Sequence, residues 1–156
     1  MLKIEIISIG TSYPGWIKEA LYEYQKRLRN ECKLSLKEIA VAKNNKKGNP
    51  QEKKIEEGKL LGSFIDRSSY IISMDQHGAQ WTSEIFSEKL IAWSLNRSKF
   101  QFLVGGSDGL SSGVLGRSDI IWSLSKLTLP HSIARLVLLE QLYRAFMINK
   151  KHPYHR

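Results

Sequence analysis

The chain has 156 residues, enough for one domain with a sizeable core and too few for a second independent one. Its 24 Lys and Arg outnumber 15 Asp and Glu, a formal net charge of +9, and no apolar run is long enough to cross a bilayer, so an anionic partner is expected and a membrane partner is not. A single cysteine, Cys32, excludes a disulfide framework and a thiolate metal cluster and reads as a small buried side chain. The charge is uneven: residues 1–62 carry 13 basic and 8 acidic groups, residues 63–123 carry 5 and 6, and residues 124–156 carry 6 and 1. Both ends are basic around a neutral middle, and the opening Met1-Leu-Lys-Ile-Glu-Ile runs straight into a strand rather than a signal peptide, the pattern expected of a cytoplasmic protein.

Leu2 to Ile9 begins alternating and becomes continuously apolar, as a strand covered on both faces does, and Gly10 ends it. The spacing predicts a helix from Pro14, at the first helical position, to about Asn30. Its apolar side carries Trp16, Ile17, Ala20, Leu21, Tyr24 and Leu28, and Lys18, Lys26, Arg27 and Arg29 face water. Lys33 to Val41 reads as a second strand, followed by a basic loop, Ala42 to Pro50, that is either mobile and functional or merely mobile; the sequence leaves open whether Lys43 to Lys47 touch RNA. Asn49-Pro50-Gln51-Glu52 has the form of an N-cap, a first-position proline and a capping-box glutamate, opening a helix that reaches about Asp66.

Ser69 to Met74 is a third strand, expected to break at Asp75-Gln-His-Gly78. Thr82 or Ser83 opens a helix with apolar members Ile85, Phe86, Leu90, Ile91, Trp93 and Leu95. Phe100 to Val104 is a fourth strand ending in Gly105-Gly-Ser-Asp-Gly109, Leu110 to Arg117 a short helix or turn, and Ile120 to Leu124 a fifth strand. A Thr-Leu-Pro-His turn then leads into a long helix, to about Asn149, with residues 133, 136, 137, 139, 142, 143 and 146 as its buried face. Pro130 fits its first turn and Thr128 is a candidate cap. Strands separated by helices imply an α/β fold, a mostly parallel sheet flanked by helices on both faces.

In such sheets ligands bind beyond the carboxyl ends of the strands, here the turns after Met74, Val104 and Leu124. Gly105-Gly106 lets backbone groups approach a ligand closely, and Gly109 can take a positive φ. The spacing matches neither a G-x-G-x-x-G fingerprint nor a P-loop, and no hydrolase triad order is defensible. No metal site is expected, because His77, His131, His152 and His155 lie on different elements and the acidic residues are scattered. The tail His152-Pro-Tyr-His-Arg156 combines a planar cation, an aromatic ring and two imidazoles, groups that stack on bases and pair with phosphates; it also has the composition of an ordinary frayed basic end.

Phe102-Leu-Val-Gly-Gly-Ser-Asp-Gly, Trp122-Ser-Leu-Ser-Lys-Leu-Thr-Leu-Pro-His131, Arg135, Glu140-Gln-Leu-Tyr-Arg-Ala-Phe146 and His152-Pro-Tyr-His-Arg156 together closely resemble the RlmH family, bacterial SPOUT-superfamily methyltransferases. The resemblance implies one SPOUT domain over residues 1–156, a deep trefoil knot in its carboxyl-terminal part, a homodimer built on the knotted regions, and S-adenosyl-L-methionine (SAM) as methyl donor. It implies SAM contacts at Met74, where relatives usually have leucine, at Gly105, and at Leu124, Ser125, Lys126, Leu127, Thr128 and Leu129. The implied substrate is N3 of a pseudouridine, position 1915 of 23S rRNA in the ribosome, with neither DNA nor membrane as partner. The positions matching the family's proposed substrate residues are His131, Arg144, Tyr154, His155 and Arg156. On these positions the chemistry suggests that His131 or His155 assists proton removal, that Arg144 and Arg156 stabilise the anionic base or a nearby phosphate, and that Tyr154 stacks on or positions the base. A different class also accommodates the sequence: a non-catalytic RNA- or ribosome-binding module with a degenerate knot.

Overall fold

In a computed structural model, which describes residues 1–40 and 49–156, five strands form one wholly parallel sheet: β1 (Lys3–Ile9), β2 (Lys33–Ile39), β3 (Tyr70–Gln80), β4 (Lys99–Val104) and β5 (Ile120–Ser123), in the order β2-β1-β4-β3-β5. The helices are α1 (Gly15–Leu28), α2 (Pro50–Ser63), α3 (Ser83–Ser94), α4 (Ser112–Gly116) and α5 (His131–Asn149). The expected basic loop, Lys43 to Lys47, lies outside the described residues.

Alternation along the strands builds two cores. Ile4 and Ile6 of β1, with Ile72, Phe100, Phe102 and Trp122, pack on α1, α3 and α5; Ile7 and Ile9, with Ile39, Ile71 and Leu103, pack on Leu61 of α2 and Val114 of α4. Side chains one apart on a strand point to opposite faces, so continuous apolar runs are what a sheet sandwiched between helices requires. Cys32 is buried in the first core.

Local chemistry sets the helix starts. Asn49 accepts a hydrogen bond from the Gln51 amide at 2.8 Å, ahead of Pro50 at the first helical position. Thr82 caps α3 through the Ile85 amide at 3.1 Å, and Ser111 caps α4. Two expectations are corrected. Pro14 and Pro130 are not first helical residues but occupy the N-cap positions, with extended ψ of 152° and 142°, and Thr128 does not cap α5, whose start has no side-chain cap. A proline ring fixes φ but is indifferent to which side of the boundary it sits on, so ψ decides the position.

The third strand does not end at Met74. Residues Asp75 to Gly78 loop out, and both Met74 and Ala79 pair with Trp122, after which the strand continues to Gln80. The Asp75 carboxylate accepts the His77 amide at 2.9 Å, the local turn that the sequence suggested. Pairing resumes because Trp81 stacks on Trp122 with ring centroids 5.2 Å apart, and because Gly78 lies against the Ile121 carbonyl, where a Cβ would come within 2.7 Å.

The buried stripe of α5 also differs from its expected face. Arg135, Leu138, Leu139, Leu142, Ala145 and Met147 are buried, whereas Ile133, Leu136, Val137, Tyr143 and Phe146 are only half-buried. A helix apolar nearly all round gives no single stripe from which to choose. Trp16, expected inside, is 58% exposed, as are Ile85 and Ile91 in large part.

Candidate active site

Because all five strands run the same way, β3, β4 and β5 deliver Met74, Val104 and Ser123 to one edge of the sheet as neighbours. The loops that follow enclose an open cleft of about 290 Å³. Met74, Val104, Leu124, Leu127, Leu129 and Ala134 supply an apolar wall; Lys54, Asp75, Gln76, His77, Ser107 and Asp108 supply a polar one. That mixture is what a ligand with an aromatic part and several polar groups needs.

The glycine turn between the two walls is bent back on itself. Gly109, at φ +81°, donates its amide to the Gly106 carbonyl at 3.1 Å. A Cβ on Gly105 would stand 2.7 Å from the Gly109 carbonyl carbon and 2.8 Å from its oxygen, so no other residue fits without moving the turn. On the opposite side, Ser123 Oγ donates to the Ser125 carbonyl at 3.0 Å and Ser125 Oγ accepts the Leu127 amide at 2.9 Å, holding the post-β5 loop in a tight coil. Trp122, packed between Trp81 and Phe86, forms the floor.

Seven of the eight expected cofactor positions line this cleft: Met74, Gly105, Leu124, Ser125, Leu127, Thr128 and Leu129. Lys126 is not among the lining residues and is exposed. Sequence reasoning missed Lys54, which arrives from α2. The turn after Met74 lines the cleft as expected, but it is a bulge within β3 rather than the end of a strand.

The five expected substrate residues sit elsewhere in the chain: none of them lines the cleft. His131, in the first turn of α5, packs over Gly10, where a Cβ would lie 3.1 Å from its Nε2. Burial, reinforced by the Arg135 cation, holds its pKa below the ordinary imidazole value, so the ring is neutral at physiological pH. Arg135 itself is wholly buried, donating to Glu38 at 3.0 Å with its guanidinium over the Tyr13 ring.

The tail folds back on α5. Glu140 Oε1 accepts from Arg144 Nε at 2.9 Å and Nη2 at 2.8 Å, and from the Tyr154 hydroxyl at 3.2 Å. Tyr154 packs edge-on against Tyr143, and burial with its hydrogen-bonded neighbours pushes its phenol up to about 12. His155 Nδ1 lies 3.1 Å from Arg144 Nη1 and Nε2 lies 2.7 Å from Glu84 Oε1. An arginine can only donate, so Nδ1 is the acceptor and Nε2 carries the proton. Arg156 is exposed. The tail is thus an ordered cluster of a cation, a phenol and an imidazole rather than a frayed end.

Comparison with known proteins agrees with the geometry. The family described as "Predicted SPOUT methyltransferase" matches residues 2–155. A curated protein of Nitrosococcus oceani named "Ribosomal RNA large subunit methyltransferase H" is 39% identical over 155 residues, 99% of each chain. A protein of the same name from Saccharophagus degradans is 39% identical over 99% of this chain and 100% of its own. Among solved structures, a probable methylase family protein from Haemophilus influenzae Rd KW20 aligns with 96% of this chain and 67% of its own at a TM-score of 0.55, with 16% identity, a likeness of fold alone. With a cleft at the strand ends, a family match over nearly every residue and full-length relatives well above a third identical, this chain belongs to the SPOUT methyltransferases.

Proposed function

We propose that this protein is a cytoplasmic, SAM-dependent methyltransferase acting on large-subunit ribosomal RNA, at N3 of a pseudouridine in 23S rRNA, as a single-domain, knotted homodimer. The observation that carries the reading is the cleft: a glycine turn closed against itself, an apolar wall and a coiled post-β5 loop, at the positions that the family resemblance assigns to the cofactor. The residues present fit SAM chemically. Met74, Leu124, Leu127 and Leu129 offer apolar surface to an adenine, the carboxylates of Asp75 and Asp108 suit hydroxyls or an ammonium, and the glycine turn exposes backbone donors and acceptors. When bound there, SAM supplies an electrophilic methyl group.

The substrate's N3–H must leave before that nitrogen accepts the methyl. Its pKa lies roughly two units above neutrality, so forming the anion costs about 3 kcal/mol at 1.36 kcal/mol per unit. Positioning and one or two cationic donors supply that much. In this proposal Arg156, exposed, and Arg144 meet the anionic base or a neighbouring phosphate, and Tyr154 holds the base. Tyr154 does this as a neutral phenol, being ionised only near 12. Between the two imidazoles, the proposal favours His155 for proton removal. His131 is packed over Gly10, whereas His155 Nδ1 already points at a cation and is released when Arg144 turns to the substrate.

None of these groups lines the cleft of its own chain, which supports a site completed by a second copy, whose tail reaches the cofactor. The half-buried apolar residues Ile133, Leu136, Val137 and Phe146 of α5 support the same arrangement, since a dimer would cover them. The +9 charge and two basic ends suit an RNA partner.

The test is methyl transfer from labelled SAM to ribosomes lacking the modification, with calorimetric titration of SAM alongside. Transfer to N3 of the pseudouridine by the full chain is expected. Deletion of Tyr154 to Arg156 abolishes transfer and leaves SAM affinity within about threefold. Salt-dependent RNA binding without SAM binding would replace this reading with the non-catalytic module.

A further inference from the structure

The glycine turn of the cleft is backed by a buried acid. Glu57, on α2, is 3% exposed, and its Oε2 has no hydrogen-bond partner among the described residues. Its two carboxyl oxygens lie 3.1 and 3.2 Å from where a Cβ on Gly106 would stand, with the Ile9 Cγ2 at 3.3 Å closing the other side. Four residues earlier on the same helix, Lys53 reaches Asp108 of the turn at 3.6 Å. The next residue, Gly58, lies so close to Ser111 Oγ that a Cβ would come within 2.2 Å. Successive positions of α2 therefore press on both ends of the segment from Gly105 to Ser111. A bare carboxylate is a poor filler for such a place, because a buried charge loses its hydration and an unpartnered oxygen gains nothing in return.

We propose that Glu57, which does not line the cleft, is a positioning residue for it: its buried carboxyl group wedges the Gly105–Gly109 turn into the shape that receives the methyl donor. The proposal rests on the assignment of that cleft to SAM. The surroundings shift this carboxyl toward its neutral form: burial raises its pKa, Lys53 on its own helix lowers it, and the Asp108 carboxylate from the turn raises it. Lys54 faces the cleft, Arg117 at the end of α4 reaches the Gly62 carbonyl at 3.4 Å more than a turn away, and β1 contributes the Ile9 methyl. Ionisation of Glu57 sets a negative charge against Asp108 and the Gly106 backbone, and the turn relaxes. The effect on the reaction is on cofactor affinity, with no contact to the reacting atoms.

Calorimetric titration of SAM against wild type, Glu57→Gln and Glu57→Ala between pH 5.5 and 8.5 tests it. Amide hydrogen exchange at Gly106 to Gly109 is measured in parallel on the cofactor-free proteins. Glu57→Gln, isosteric and never charged, keeps wild-type affinity within twofold at pH 5.5, and the wild type then weakens relative to it as pH rises. Glu57→Ala loses at least tenfold at every pH, and its turn amides exchange at least tenfold faster while those of β1 do not. Equal affinity and equal turn exchange in Glu57→Ala overturn the proposal, and so does a Gln variant as weak as the Ala variant at pH 5.5. Should Glu57→Ala fail to fold, the ratio of wild type to Glu57→Gln across pH decides: a constant ratio refutes it. Wild type that binds no SAM refutes the assignment of the cleft instead, and turn exchange in the cofactor-free proteins still tests the hold of Glu57.

Discussion

Gly105→Ala probes the cleft most directly, because the geometry states how much room is missing. The added methyl would lie 2.7 Å from the Gly109 carbonyl carbon, 2.8 Å from its oxygen and 3.0 Å from the Leu110 nitrogen. All three are backbone atoms, so no side-chain rotation relieves the contact, and ordinary separation is regained only if the turn opens by about 0.7–1 Å. Overpacking of this kind costs about 1–3 kcal/mol. For a chain of 156 residues that is a fall in melting temperature of about 2–12 °C, at 2–4 °C per kcal/mol. Cofactor binding suffers more than stability, since the turn that moves is itself a wall of the cleft. A hundredfold loss of SAM affinity, about 2.7 kcal/mol, is expected. Calorimetry of the purified variant reads the affinity and differential scanning the melting temperature. Gly105→Ala that binds SAM within twofold of wild type would show that the turn does not form the cofactor wall. Lost affinity in the neighbouring Gly109→Ala alone would place the contact further along the turn, where φ is +81° but no atom crowds the Cα.

His131 titrates below its ordinary value in the folded chain, so the native state binds the proton less readily than the unfolded one. Its stabilising contribution is complete above the unfolded pKa of 6.5 and is lost as pH falls toward the folded pKa; His131→Gln flattens this limb of the stability curve measured by urea denaturation, and an unchanged slope between pH 6.5 and 5 would contradict the burial argument. Arg135→Leu leaves the partly buried Glu38 carboxylate without its cation and lowers stability by about 2–3 kcal/mol, whereas adding Glu38→Gln recovers at least half of the loss, because the stranded charge is then removed; a thermal melt of the single variant that matches wild type would count against the ion pair. The Cys32 thiol, buried and pushed up to about 12, stays unmodified by iodoacetamide at pH 8 in the native protein and reacts on denaturation, read by mass spectrometry; rapid native alkylation would place it at the surface.

Much of this protein is determined by local sequence. Alternating and continuous apolar runs marked five strands, Asn49 and Thr82 marked helix starts through the hydrogen bonds their short side chains make, and Gly105-Gly106 with Gly109 marked the turn that shapes the cleft. These signals are legible because each acts over a few residues. The motif order in residues 102–156 carried the family resemblance, and with it most of the residues expected at a cofactor site that do line the cleft.

Tertiary contact decided the rest. The Asp75 to Gly78 turn looks terminal in sequence, but stacking of Trp81 on Trp122, forty-one positions away, draws the strand back into register and sets Asp75 and His77 at the cleft mouth. On α5 the apolar residues surround the helix, so only its packing against α1, α3 and the core they share with the sheet selects the stripe of Arg135, Leu138, Leu139, Leu142 and Ala145. Lys54 joins the cleft, and Glu57 lies behind its glycine turn, only because α2 packs against β1 and α4. Periodicity reports which residues seek burial; which partner covers them, and which polar group is caught beneath, depends on contacts between segments distant in the chain.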